Sequence, residues 1–343
     1  MLDALLFSDF LGKPAWLWYS FLGVVGALLA FDLGVLHRKD REIGAKESLL
    51  LSFVYIVLGL CFGGWVWWYL GPTSGMHYLT GFLVEKTLAM DNVFVIAMVF
   101  SFFAVPRQYQ HRVLFWGILG VIVLRAIMIG LGSALITEFS WLLYVFGAFL
   151  VFTGIKMLWM IDHEFDVAGN PVVRWLQRTM RVTPTPHGNQ FFVRLPAPEV
   201  AGGPPSTKPG ARVVWWATPL FLALILIEVI DVIFAVDSVP AVFAITTDPF
   251  IVYTSNIFAI LGLRALYFAL AAMIHRFRYL KYALAIVLVF IGAKIFAVNV
   301  TGKIPAWISL SVTFGLLLGG VLYSLYRTSR EDSGKGAAPD LGR

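Results

Sequence analysis

Apolar residues run along this chain in blocks of about 20 or more, separated by short polar stretches. Nine such blocks can be drawn, at residues 15–36, 48–70, 78–103, 113–132, 139–161, 217–246, 251–274, 279–298 and 304–326. Each is long enough to carry a helix across about 30 Å of hydrocarbon, which predicts an all-α polytopic membrane protein of about nine transmembrane helices. Polar punctuation then divides the chain. Residues 1–161 form an N-terminal membrane half, and 162–214 a linker with Pro184, Pro186, Pro196, Pro198, Pro204, Pro205 and Pro209 that cannot be one helix. Residues 215–327 form a C-terminal membrane half, and 328–343 a charged, Gly-containing tail expected to be disordered. Within the linker, the run from Asn170 to Arg181 has the pattern of a short basic amphipathic helix on the membrane surface, with a plain solvated loop as the alternative.

Composition agrees with the pattern, for 59% of the 343 residues are apolar and only 13% charged, far below the ~25% of soluble domains. Basic residues sort by side. The connections at 37–47, 104–112, 162–214, 275–281 and after 326 hold nineteen Lys and Arg, against only Lys13 and Lys303 in the alternate ones. That asymmetry predicts an N-terminus outside, a C-terminus in the cytoplasm and a cytoplasmic linker. The net charge of +6 is thereby explained without nucleic acid, and lipid is the expected surrounding partner. Asp3 and Asp9 precede the first lysine, the reverse of a cleavable signal. Cys61 is the single cysteine, which excludes an internal disulfide and suggests a packing residue.

Acids inside the apolar blocks set the chemistry. The sixth block carries Glu228, Asp231 and Asp237, and the third carries Glu85 and Asp91. A carboxylate at the centre of a membrane helix costs roughly 2.5–3.5 kcal/mol, so these acids need cations, protons or paired bases around them. Blocks three to five and six to eight also look like copies of one unit. Leu88-Ala-Met-Asp91-Asn-Val matches Phe234-Ala-Val-Asp237-Ser-Val, Leu124-Arg125-Ala matches Leu263-Arg264-Ala, and Phe152-Thr-Gly-Ile-Lys156 matches Phe290-Ile-Gly-Ala-Lys294. An odd number of spans separates the copies, so the expected fold is an inverted three-plus-three helix repeat, 78–161 against 215–298, of the kind found in secondary transporters.

At 100° per residue, Glu228 and Asp231 share one face of their helix while Asp237 points elsewhere. Pro240 predicts a helix break that would free the Val236 carbonyl beside Asp237. The carboxylates, with Asn92, Ser238 and such a carbonyl, form a hard oxygen set suited to Mg²⁺, Ca²⁺ or Mn²⁺. Asp91 and Asp237 are expected to hold one dication at mid-membrane, with Glu85 and Asp231 in outer positions. Lys86, Arg125, Lys156, Arg264 and Lys294 are the supporting charges. Lys156 and Lys294 lie near span ends and can snorkel, whereas Arg125 and Arg264 sit deeper. Ten charges could also be purely structural ion pairs. No histidine is placed to serve as a ligand.

The segments Glu85-Lys-Thr-Leu-Ala-Met-Asp-Asn-Val-Phe-Val and Glu228-Val-Ile-Asp-Val-Ile-Phe-Ala-Val-Asp-Ser-Val-Pro-Ala resemble the hallmarks of the TerC family of bacterial membrane proteins. The resemblance continues through Ile245–Phe268, through Phe31-Asp-Leu-Gly-Val-Leu-His-Arg-Lys and through Asn-Pro-Val-Val-Arg in the linker, and covers most of residues 25–300. It implies a multi-pass protein of the bacterial inner membrane, of a family named for tellurite resistance, that exports manganese, with family acids at Glu85, Asp91, Glu228, Asp231 and Asp237. The linker from Leu195 to Val214 is longer than the family's usual one. The expected function is therefore non-enzymatic export of Mn²⁺ in metal homeostasis, in which the dication is cargo and no resident cofactor is needed. Two other classes compete. A membrane scaffold linked to tellurite stress would leave the mid-membrane acids without a purpose, and an intramembrane aspartyl protease would need Tyr-Asp and Gly-x-Gly-Asp contexts that these aspartates lack.

Overall fold

The computed structural model describes residues 6–34, 45–159, 169, 171–197, 206, 212–271, 279–302 and 304–335. Helices dominate. They are α1 (Ala15–Gly34), α2 (Ala45–Leu70), α3 (Pro72–Phe102), α4 (Arg107–Glu138), α5 (Leu142–Trp159), α6 (Pro171–Thr179), α7 (Pro219–Phe243), α8 (Pro249–Leu261), α9 (Leu263–Ala271), α10 (Leu280–Thr301) and α11 (Ala306–Lys335). Two small antiparallel ribbons accompany them, β1 (Asp9–Phe10) with β2 (Lys13–Pro14), and β3 (Phe192–Pro196) with β4 (Val213–Ala217). The protein is an α-helical polytopic membrane protein.

Six described helices are long and apolar enough to cross a bilayer: α2, α4, α5, α7, α10 and α11. The other three expected spans fall short for different reasons. Helix α3 has 31 residues, about 46 Å, but Glu85, Lys86 and Asp91 interrupt its apolar run. The apolar part of α1, Ala15–Phe31, is short. The expected span 251–274 is not one helix, because α8 ends at Leu261 and α9 begins at Leu263. The outer surface carries the apolar load, with Trp68 and Trp159 more than 80% exposed, as a surface meant for lipid does.

Local chemistry explains the joints. Gly71, at a φ of 94° that a side chain resists, turns the chain between α2 and α3, and Pro72 opens α3 where its missing N–H costs nothing. The Asp248 side chain caps α8 by accepting from Phe250 N–H at 3.0 Å, and it also takes Lys13 Nζ at 3.0 Å, fastening the first ribbon to the start of α8. Gly262, between α8 and α9, has close neighbours. A Cβ there would meet Lys86 Nζ at 2.7 Å and Tyr55 Cβ at 3.0 Å.

Helices α3, α4, α7 and α8 pack together at the centre, with α2 behind α3 and α8. An aromatic cluster seals one end, where Phe62 lies 4.7 Å from Phe258 and Phe21 packs edge-on to Phe250 and Tyr253. Helices α5 and α10, the expected repeat partners, lie directly against each other. Gly154 leaves room for Ala285 O and Val289, and its counterpart Gly292 leaves room for Gly147 O and Val151. The partners are spaced identically along the two helices, which is the exchange that a two-fold relation between α5 and α10 produces.

Three expectations change. The break expected at Pro240 is absent, since α7 runs unbroken to Phe243; three residues from the helix end, a proline removes one hydrogen bond without stopping the helix. The linker contains a strand pairing that was not expected, because β4 pairs with β3 across the expected 214/215 boundary, while α6 at Pro171–Thr179 is the helical one of the two alternatives read for residues 170–181. Helix α11 continues to Lys335, into the stretch expected to be a disordered tail.

Candidate functional site

The centre of the bundle is organised by Arg125, which is 1% exposed in the middle of α4. Its Nη1 meets Glu85 Oε1 on α3 and Asn256 Oδ1 on α8, and donates to Ser238 Oγ on α7 at 2.9 Å. Its Nε lies 3.8 Å from Asp231 Oδ2, also on α7. One guanidinium thus joins four helices, using the planar fork that suits it to carboxylates. Asp231 and Ser238 are seven residues apart, two helical turns, and so project from one stripe of α7 toward it.

The cluster is charge-paired but not fully hydrogen-bonded. Glu85 Oε2, Asp231 Oδ2, Arg125 Nε and Asn256 Nδ2 are buried with no hydrogen-bond partner among the described residues. Buried polar atoms left in that condition cost about 1–3 kcal/mol each, more when charged. Glu228 adds a third acid. Its carboxylate lies against α4 where residue 120 is glycine, in the place a Cβ there would take, and its Oε2 likewise has no hydrogen-bond partner among the described residues. Beside Asp231 is a narrow cavity of about 20 Å³, room for about one water, whose polar lining is Asp231 and Asn92 and whose remaining wall is apolar.

Lys86 has a separate role. Buried between α3 and α8, it donates to Ala259 O at 3.0 Å. That carbonyl belongs to the last turn of α8, so the ammonium neutralises the negative end of a helix that stops inside the bundle.

Not all expected residues meet here. Asp91 belongs to α3, but its side chain and that of Arg264 lie outside the described residues. Asp237, expected at the centre, faces away from Arg125; it accepts a long hydrogen bond, 3.4 Å, from Thr153 Oγ1 on α5 and is half-buried, with Lys156 within electrostatic reach. Lys156 itself is exposed and Lys294 half-buried. Glu85 and Asp231, assigned outer positions by the sequence, are the acids that meet Arg125. Asn256 was missed, although Thr254-Ser255-Asn256, three polar residues in an apolar block and all fully buried, was a readable signal. Among the described residues no three His, Cys, Asp or Glu side chains are grouped to hold a metal ion. Cys61 is exposed rather than packed.

The two acidic helices, the Arg125 centre and the α5–α10 pair all fall within residues 70–332, the stretch matched by the model of the integral membrane protein TerC family. The chain belongs to the TerC family. Among its relatives, an "Uncharacterized membrane protein" of Rickettsia bellii is 46% identical over 315 residues, covering 92% of this chain and 99% of the relative. "Uncharacterized membrane protein STKORF319" of Myxococcus xanthus is 44% identical, covering 96% and 98%. The Escherichia coli K12 protein named "Putative membrane-bound redox modulator Alx" is 47% identical, covering 95% and 98%. No solved structure matches this TerC chain.

Proposed function

We propose that this TerC protein is a transporter, not an enzyme, that exports divalent cations, Mn²⁺ above all, from the cytoplasm across the bacterial inner membrane. The observation that carries the reading is that Glu85 Oε2 and Asp231 Oδ2 in the Arg125 cluster, and Glu228 Oε2 on the same helix as Asp231, are buried with no hydrogen-bond partner among the described residues. Among the described residues Glu85, Asp231 and Glu228 face Arg125 there, while Lys86 is committed to a helix end. Hard oxygens in that state suit a hard dication. Arg125 holds Glu85 and Asp231 when no ion is present, and an arriving dication displaces it. Protonation is the other way to neutralise the acids, so proton and metal occupancy oppose each other, which allows an inward proton gradient to drive metal release.

In this reading the chain has nine spans in an inverted repeat, with the halves at 1–161 and 215–327, the N-terminus outside and the linker and C-terminus in the cytoplasm. The matched glycine contacts of α5 and α10 support the repeat, and α8 ending inside the bundle is the discontinuous helix that transporters use near their sites. The redox role in the name of the Escherichia coli relative does not transfer through thiol chemistry, since one cysteine cannot alternate between dithiol and disulfide within the chain.

The test is cytoplasmic manganese in cells lacking the protein, expressing it, or expressing Asp231→Asn. The parent should lower manganese and the variant should not; equal manganese in all three, with inserted protein, would refute export. Sidedness is tested separately, in a Cys61→Ser background, by a cysteine at Ser206. Labelling of that cysteine from outside intact cells would overturn the orientation.

A further inference from the structure

Between Val167 and Pro198 the chain holds Arg174, Arg178, Arg181 and Arg194 and not one acidic residue. The structure gathers this basic run at the end of the bundle. Helix α6 buries Val173 and Leu176, the latter against Ala217 and Leu222, and presents Arg174, Trp175 and Arg178 on its other side. Strands β3 and β4 follow, with the Arg194 guanidinium stacked 4.5 Å over the ring of Trp215. Between these elements and the end of α3 is a cavity of about 1040 Å³. Phe102, Phe103, Trp215 and Trp216 supply an aromatic wall, and Arg178 and Arg181 a basic edge.

Size, charge and position select the occupant. At the upper limit of small-molecule pockets, about 1,000 Å³, the cavity is far too large for a metal ion. Neither arginine side chain has an ion-pair partner among the described residues, so an anion meets no competing carboxylate from them. The fully buried Trp216, a wall residue, has an indole N–H without an acceptor among the described residues. The cavity also lies where α3 ends and α7 begins, with Phe103 and Pro219 both lining it, which is the level of the polar headgroups for a helix that spans the bilayer. Aromatic walls beside basic groups at that level match an amphiphile with an anionic head.

We propose that this cavity binds the phosphate-bearing headgroup of an anionic phospholipid, with Arg178 and Arg181 on the phosphate and the aromatic wall against the glycerol and upper acyl chain. The site takes from the transport reading only the cytoplasmic placement of residues 171–217, and it needs no transport to be occupied.

Native mass spectrometry of delipidated full-length protein provides the test, with phosphatidylglycerol, phosphatidylcholine or inorganic phosphate added separately. Phosphatidylglycerol should be retained in preference to phosphatidylcholine. Arg178→Gln with Arg181→Gln should weaken that retention about tenfold, while the paired lysine variant keeps most of it. Asp231→Asn, lacking transport, should bind lipid as the parent does, which separates failure here from failure of the transport reading. Equal retention of both lipids, or unchanged retention in the glutamine variant, would overturn the proposal. Inorganic phosphate bound as firmly as the lipid would overturn the membrane as the source.

Discussion

Two faces of α7 treat an acid in opposite ways. Asp231, with Ser238 two turns on, faces α4 and is held in the Arg125 cluster at 6% exposure. Asp237, 240° around the helix from Asp231, meets α5 through one long hydrogen bond and stays half-buried near Lys156. Where water cannot reach, the fold supplies a fixed guanidinium, because a buried charge without compensation costs several kcal/mol. Where the acid is only half-buried, one long hydrogen bond and a nearby lysine suffice. Burial, more than the number of acids, therefore decides which charges the fold must hold in place.

The largest effect should come from removing the fixed cation. Arg125→Gln leaves Glu85 and Asp231 buried without their base, a loss of roughly 3–5 kcal/mol. Its expected signature is a strongly reduced yield of monodisperse, detergent-solubilised protein and a lower thermal midpoint. Adding Glu85→Gln should restore part of both. Full stability in Arg125→Gln alone would show that the acids are not buried as ions, and the contrast between the two faces would collapse.

Next in size is the comparison of the two aspartates. Asp231→Asn should cost at least tenfold in manganese efflux at equal membrane level, and Asp237→Asn less, because only Asp231 lines the cavity that continues to Asn92. Efflux measured in inverted vesicles decides it. A loss in Asp237→Asn equal to that in Asp231→Asn would move the working centre to the α5 side of α7.

A smaller effect tests the glycine that admits Glu228. Gly120→Ala places a methyl group where the Glu228 carboxylate lies, so the end of that flexible side chain must move, at a cost near the lower end for overpacking, about 1 kcal/mol. Thermal stability should fall, and Glu228→Ala in the same chain should recover most of it. Failure of the second change to recover stability would mean that Gly120 is needed for reasons other than Glu228.

The sequence was informative wherever helical periodicity alone decides the outcome. It placed Glu228 and Asp231 on one face and Asp237 on another, put Arg125 deep and Lys156 shallow, and marked α6 within the linker. It failed where a tertiary neighbour decides. Nothing local says that Gly262 must be bare to admit Lys86 from another helix, or that Asn256 will be the oxygen opposite Arg125. Pro240 does not break the helix because it stands in the last turn of α7, which ends at Phe243 with the Ala244 N–H bonded back to the Pro240 and Val242 carbonyls. The β3–β4 ribbon escaped notice because prolines at both ends mask a short apolar pairing, Val193 opposite Trp216.

The smallest effect belongs to Lys156. Its side chain is exposed, it stands in the last turn of α5, and its stem can carry the ammonium toward the interface. Lys156→Gln removes an exposed charge near a half-buried acid, where ion pairs contribute about 0–1 kcal/mol, so stability and manganese efflux should remain within about twofold of the parent. Lys294, at the matched position of α10, is half-buried, and Lys294→Gln should cost more. The ordering Arg125, Lys294, Lys156 follows exposure alone. Efflux in inverted vesicles, with thermal midpoints of the same preparations, checks it. A Lys156→Gln variant as damaged as Arg125→Gln would mean that Asp237 depends on a fixed cation after all, and that its face of α7 is as closed to water as the face bearing Asp231.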